Sequence, residues 1–198
     1  DVYRQRNDPS MTPILESDVD GAQRCLKLLQ TWHRRRHSDI PEEAYEITLA
    51  ALVNRGRCWW RNQTHGLVSA ADVVGEVYEM LRQDYTTEEA IPAHLISKIL
   101  QIYAHCATPR YYKHFAEKAH TILDSMGGDP PLAAVLHVIH AYCWQQANLE
   151  YPDCATTAEC LADTIFDQCA TEQKLQIYKL LLEAFSKSNG SPQKCEHL

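Results

Sequence analysis

The sequence predicts an all-α chain of antiparallel helix pairs, and three observations carry that expectation. Apolar residues recur at helical spacing through most of residues 18–188. Pro, Asp, Ser or Thr stands at the front of these segments, and Gly follows two of them, as helix starts and stops require. No stretch alternates β-branched with polar residues over a useful length, so no strand is expected.

The 198 residues suit one domain or one array of small repeats, long enough to bury a core. With 45% hydrophobic residues, 23% charged and only 7 Gly, the composition is that of a folded chain rich in helix formers. No apolar run approaches the ~18 residues of a membrane span.

Residues 1–17 carry Pro9 and Pro13 and read as an extended arm. A helix capped by Asp18 or Asp20 then runs to about His37, with Ala22, Cys25, Leu26, Leu29 and Trp32 along one stripe. Pro41-Glu42-Glu43 opens the next, lined by Tyr45, Thr48, Leu49, Leu52 and Val53 and stopped by Gly56. A loop of about a dozen residues follows, from Arg57 to Val68. Ser69 caps a helix carrying Val73, Val74, Val77 and Leu81. Pro92 opens a helix with Leu95, Ile96, Ile99, Leu100 and Tyr103, and Pro109 one with Phe115, Ala116, Ala119, Ile122 and Leu123 that Gly127-Gly128 ends. Pro130-Pro131 leads into Ala134, Val135, Val138, Ile139 and Tyr142. Asp153 and Thr171 cap the last two helices, and residues 189–198 form a polar, flexible tail. That makes about eight helices in residues 18–188, with short connections that set neighbours antiparallel.

The pairs repeat. Ala70-Ala71-Asp72 matches Ala116-Glu117-Lys118 and Ala158-Glu159-Cys160, at spacings of 46 and 42 residues. An aromatic residue near the end of the first helix of a pair, Tyr103 or Tyr142, faces a small residue early in the second. Such a pair cannot bury its apolar stripe alone and must stack on its neighbours. Three to four units are close to the lower limit for a stack, so its ends need covering.

These segments, with Pro131 and the helix ending Ala141-Tyr142, resemble the pentatricopeptide-like branch of helical repeats, akin to tetratricopeptide repeats, over residues 41–188. The repeats here are longer than that family's period of about 35 residues. The resemblance implies a right-handed α-solenoid and a setting in mitochondria or plastids. It implies single-stranded RNA binding, or service as a part of a ribonucleoprotein assembly. The family reads bases with a polar residue near the start of each first helix. The matching positions are Glu46, Ser97, Leu136 and Lys179, of which only Ser97 suits the role.

Charge is uneven along the chain. The total is −7, yet residues 1–62 carry +1 and residues 63–198 carry −8. A phosphate-bearing partner would therefore meet the N-terminal third. Two segments there stand out. The loop with Arg55, Arg57, Trp59, Trp60 and Arg61 combines cations for phosphates with indoles that stack on bases or fill a partner's pocket. The alternative is that the two Trp cover the core. Arg34, Arg35 and Arg36 end the first helix, where cations also answer the negative helix terminus.

The eight cysteines contain no Cys-x-x-Cys pair and sit mostly at apolar helical positions, which fits free thiols in a reducing, intracellular or organellar setting. His137, His140 and Cys143 lie three apart on one helix and could hold zinc, and His33 and His37 at i, i+4 could also chelate. Core or interface packing is the competing reading for both sets. No Gly-rich phosphate loop, His-Glu-x-x-His or Gly-x-Ser-x-Gly is present. The expected function is thus a non-catalytic scaffold without cofactor, which binds protein subunits of a larger organellar (ribonucleo)protein complex. Single-stranded or ribosomal RNA is the further partner class. A pentatricopeptide-type RNA-binding factor is the alternative, and an all-helical metal enzyme the third reading.

Overall fold

Pro41, Pro92 and Pro131 each stand one residue ahead of a helix, where a missing N–H costs nothing. Each uses its carbonyl to accept the first helical bonds, from Ala44, Leu95 and Ala134 at 2.8–2.9 Å. The computed structural model describes residues 16–35, 40–55, 60–62, 66–85, 91–106, 114–127, 129–145 and 153–187. Among them are eight α-helices: α1 (Glu16–Arg34), α2 (Glu42–Arg55), α3 (Ala70–Asp84), α4 (Ala93–Cys106), α5 (Phe115–Ser125), α6 (Leu132–Gln145), α7 (Cys154–Ile165) and α8 (Thr171–Lys187). The described residues are all-α apart from one short hairpin. No described helix is long and apolar enough to cross a membrane.

Local chemistry fixes the ends. Ser69 and Asp72 form a capping box at the front of α3, with the Ser69 N–H donating to Asp72 at 2.8 Å. Gly127, at φ 63°, ends α5 in the left-handed region that a side chain would resist. At α8 the residue ahead of the helix is Ala170, and Gln173 accepts its N–H at 2.9 Å. Thr171 is thus the first helical residue and not the expected cap. α1 begins at Glu16, ahead of Asp18 and Asp20. Pro109, Gly56, residues 1–15 of the expected arm and the tail 189–198 lie outside the described residues.

The loop expected from Arg57 to Val68 contains a hairpin where no strand was predicted. β1 (Trp60–Asn62) pairs antiparallel with β2 (Gly66–Val68), Trp60 opposite Val68 and Asn62 opposite Gly66. Three residues a side are too few to show an alternating pattern, which is why periodicity passes over it.

The chain divides into two compact units, Asp1–Ile102 and Tyr103–Leu198. In the first, α1 packs on α2 and α2 on α3. Tyr45, fully buried on α2, donates its hydroxyl to Asp84 at the end of α3. Burial and the Asp84 carboxylate both raise the Tyr45 pKa. Gln30 of α1 donates to Glu76 of α3 at 2.7 Å. In the second unit, α5 packs on α6, α6 on both α7 and α8, and α7 on α8. In the first unit α1 thus meets both α2 and α3, and in the second α6 meets both α7 and α8.

The helix starts define a register. Pro92, Pro131 and Ala170 are 39 residues apart, with Pro41 the equivalent ahead of α2. In that register the buried positions coincide: Thr48, Ile99, Val138 and Ile177; Leu52, Tyr103, Tyr142 and Leu181; Arg55, Cys106, Gln145 and Ala184. The second helices align on Ala71, Ala116 and Ala155, all buried. The match of Ala158 to Ala116 predicted above lies one turn further along than this alignment of helix starts. Ala155 and Ala158 are both small and buried, so residue type alone does not separate them.

Candidate functional site

With this register, the positions that the family resemblance assigns to base reading are Glu46, Ser97, Leu136 and Leu175. Lys179 belongs one turn later. Ser97 is half-buried, Leu136 half-buried, and Leu175 65% exposed. Glu46 is engaged: Lys98 of α4 donates to its carboxylate at 2.7 Å. That bond holds the Glu46 carboxyl below the usual carboxylate range. One turn earlier, His94 lies 3.3 Å from Glu42. The adjoining positions are Ile47, 61% exposed, Lys98, His137 and Gln176. Sequence reasoning passed over Ile47, Lys98 and Leu175, although their offset from the helix-opening residue was legible once that residue was known.

His137 is half-buried on α6. Burial, with His105 adding, lowers its pKa to about 4. An unfolded chain would bind its proton near pH 6.5 and the folded one only near pH 4. Stability from this residue is therefore complete above pH 6.5 and lost as the pH falls toward 4. Urea unfolding should show the native protein losing roughly 2 kcal/mol at this site between pH 7 and pH 5, a loss that His137→Leu abolishes. An unchanged pH dependence in the variant would refute the assignment.

The basic candidates separate. Arg34 and Arg35 are exposed at the end of α1. Arg35 borders an apolar groove of about 530 Å³ shared with Leu28, Thr31 and Trp32. Arg55 is a correction: it is 0% exposed and cannot reach a phosphate or a partner. It lies three residues after Leu52 and seven after Thr48, both buried, so helical geometry carries it onto the core stripe. Arg36, Arg57 and Trp59 lie outside the described residues, as do the side chains of Trp60 and Arg61, whose backbone is in β1.

His137, His140 and Cys143 do not converge. Steps of three turn each residue back about 60° around a helix, so the set spreads over roughly 120°. The His140 ring lies 5.6 Å from that of Trp144, and burial pushes the Cys143 thiol up to about 12. Among the described residues no group of three His, Cys, Asp or Glu stands together as a metal requires. His33 lies 3.6 Å from Asp84, and His37 is outside the described residues. Cys25, Cys143, Cys154, Cys160 and Cys169 are free thiols.

A buried polar cluster joins three helices of the second unit. The Gln145 carbonyl accepts the Ala116 N–H at 3.0 Å, and its amide donates to both carboxylate oxygens of Glu117 at 2.8 Å. The same amide lies 3.7 Å from the Cys154 sulfur, whose thiol burial pushes up to about 12. His120 and the Tyr142 hydroxyl are 3.0 Å apart. Burial, with Glu117 nearby, raises the Tyr142 pKa. Gln145 is thus fixed between α5 and α7, and His120 with Tyr142 forms a second link between α5 and α6, as in structural hydrogen bonding.

No protein-family model matches the chain, and neither a curated protein nor a solved structure matches it.

Proposed function

We propose that this chain is a non-catalytic helical-repeat scaffold, a pentatricopeptide-like member that binds protein subunits of an organellar (ribonucleo)protein complex. The observation that carries the reading is the set of equivalent first-helix positions. Reading a base takes an uncommitted polar side chain. Here Glu46 is tied to Lys98, Leu136 and Leu175 are aliphatic, and Ile47 beside Glu46 is exposed. Aliphatic and paired groups suit a protein surface better than a ribonucleotide. The contacts of α1 with α2 and α3, of α2 with α4, and of α6 with α5, α7 and α8 support the finer fold reading, a right-handed solenoid of helix pairs.

RNA contact is the second reading, favoured by exposed Arg34 and Arg35 beside Trp32. Fluorescence anisotropy with a labelled mixed-sequence single-stranded RNA separates the two. The scaffold reading expects no saturable binding at low salt. Tight binding that weakens steeply with salt, and is lost on joint replacement of Arg34, Arg35, Arg57, Trp59 and Arg61 by Ala, would overturn it. Co-purification gives the positive arm: Ile47→Glu should release subunits that the unaltered chain retains, since a charge would enter an apolar contact.

A further inference from the structure

A cleft of about 230 Å³ lies between α7 and α8, within the second unit. Its floor is apolar: Ala162, Ile177 and Leu181 line it and are nearly fully buried. Its walls are of another kind, two carboxylates and two aromatic rings, from Glu159, Asp163, Phe166 and Tyr178.

Helix geometry explains the grouping. Glu159 and Asp163 are four residues apart on α7, and Phe166 follows three later in the turn that ends that helix, so all three share one side. Phe166 meets Tyr178 of α8 edge to face, with ring centroids 5.3 Å apart and planes at 68°. The Phe166 ring already receives a cation: the Lys174 ammonium lies over it, 4.7 Å from its centroid.

Two acids on a helix usually mark a solvated face. Here they border a cavity with an apolar floor, and Glu159 is half-buried. Among the described residues neither carboxylate has a hydrogen-bond or ion-pair partner. α7 holds no Lys or Arg to balance them. Residues 63–198 together carry −8, so the wider field also draws cations to this part of the chain.

We propose that this cleft holds an arginine side chain presented by a protein partner. A guanidinium offers five N–H donors in a flat fork, enough to bond two carboxylates one turn apart while its plane rests against Tyr178. Its methylene stem covers the floor at Ile177 and Leu181. A lysine ammonium is a compact, strongly hydrated charge with no flat face to stack. The inference deepens the scaffold reading and rests on it, since it names the chemistry by which a bound subunit is held.

A nuclear magnetic resonance titration of the isotope-labelled full chain with N-acetyl-L-arginine amide tests it. Saturable shifts are expected at the amides of Ala162, Asp163 and Tyr178. The citrulline analogue has the same shape without the charge and should bind at least about tenfold more weakly, as should the lysine analogue. Joint Glu159→Gln and Asp163→Asn should weaken arginine binding by about tenfold or more. Both replacements keep side-chain shape at positions that are not fully buried, so the fold should persist, which the variant's own spectrum checks. Absence of saturable shifts overturns the proposal. So does equal binding of the citrulline or lysine analogue, or an unchanged affinity in the double variant. Release of subunits by Ile47→Glu tests the scaffold reading separately, so failure of one is distinguishable from failure of the other.

Discussion

Phe115→Ala is expected to destabilise the second unit by about 3–5 kcal/mol, the range for deleting a buried phenyl ring. Phe115 is the first residue of α5 and 1% exposed, with its ring centroid 5.9 Å from that of Tyr103. The ring thus joins the front of α5 to the end of α4, where the sequence pattern places an aromatic against a small residue. Truncation removes apolar burial, leaves a cavity and strips Tyr103 of its aromatic partner. Equilibrium urea unfolding followed by circular dichroism should show the midpoint fall, with Phe115→Leu losing much less. As an internal reference, Leu182→Ala should stay within about 0.5 kcal/mol, because that side chain is exposed. Comparable losses in the two Ala variants would mean that Phe115 is not in the core as described.

Gln145→Leu should cost roughly 2–3 kcal/mol despite nearly conserving volume, because it strands partners on two sides. The Ala116 N–H, in the first turn of α5, would lose the Gln145 oxygen that accepts it. The Glu117 carboxylate would lose both bonds from the amide and face an apolar group instead. Gln145→Glu should be worse than Leu near neutral pH and recover in acid, since it sets a second carboxylate against Glu117. A thermal-melt series against pH tests this: parallel curves for the Leu and Glu variants would show that Glu117 does not face position 145.

Both residues show how much was legible in advance. Phe115 fell on the predicted apolar stripe of its helix, so its burial followed from periodicity. Gln145 did not, because a lone polar residue at a helix end reads as exposed until the facing helix is known. Arg55 failed for the same reason. Its spacing from Leu52 already placed it on the buried stripe, but arginine in a basic stretch suggests a surface role, and residue type prevailed over geometry. Of the candidate site, Ser97 and Glu46 were read directly. The Glu46–Lys98 bond was not, since the two residues are far apart in sequence and meet only when α4 lies beside α2.

By itself the sequence determined the helical class, the helix starts at Pro41, Pro92 and Pro131, the capping at Ser69, and most of the core. These are local properties, set by φ restriction, capping bonds and a period of 3.6 residues, and they act within one turn of the chain. Tertiary structure alone decided which distant polar groups meet, such as Glu46 and Lys98 across α2 and α4. It also decided which cations are available, since Arg55 and Arg35 have the same chemistry and opposite burial. The exposure of Leu28, Trp32, Leu175 and Leu182 was its decision too. An apolar stripe shows that a helix needs a neighbour, and only packing shows which of its side chains that neighbour covers.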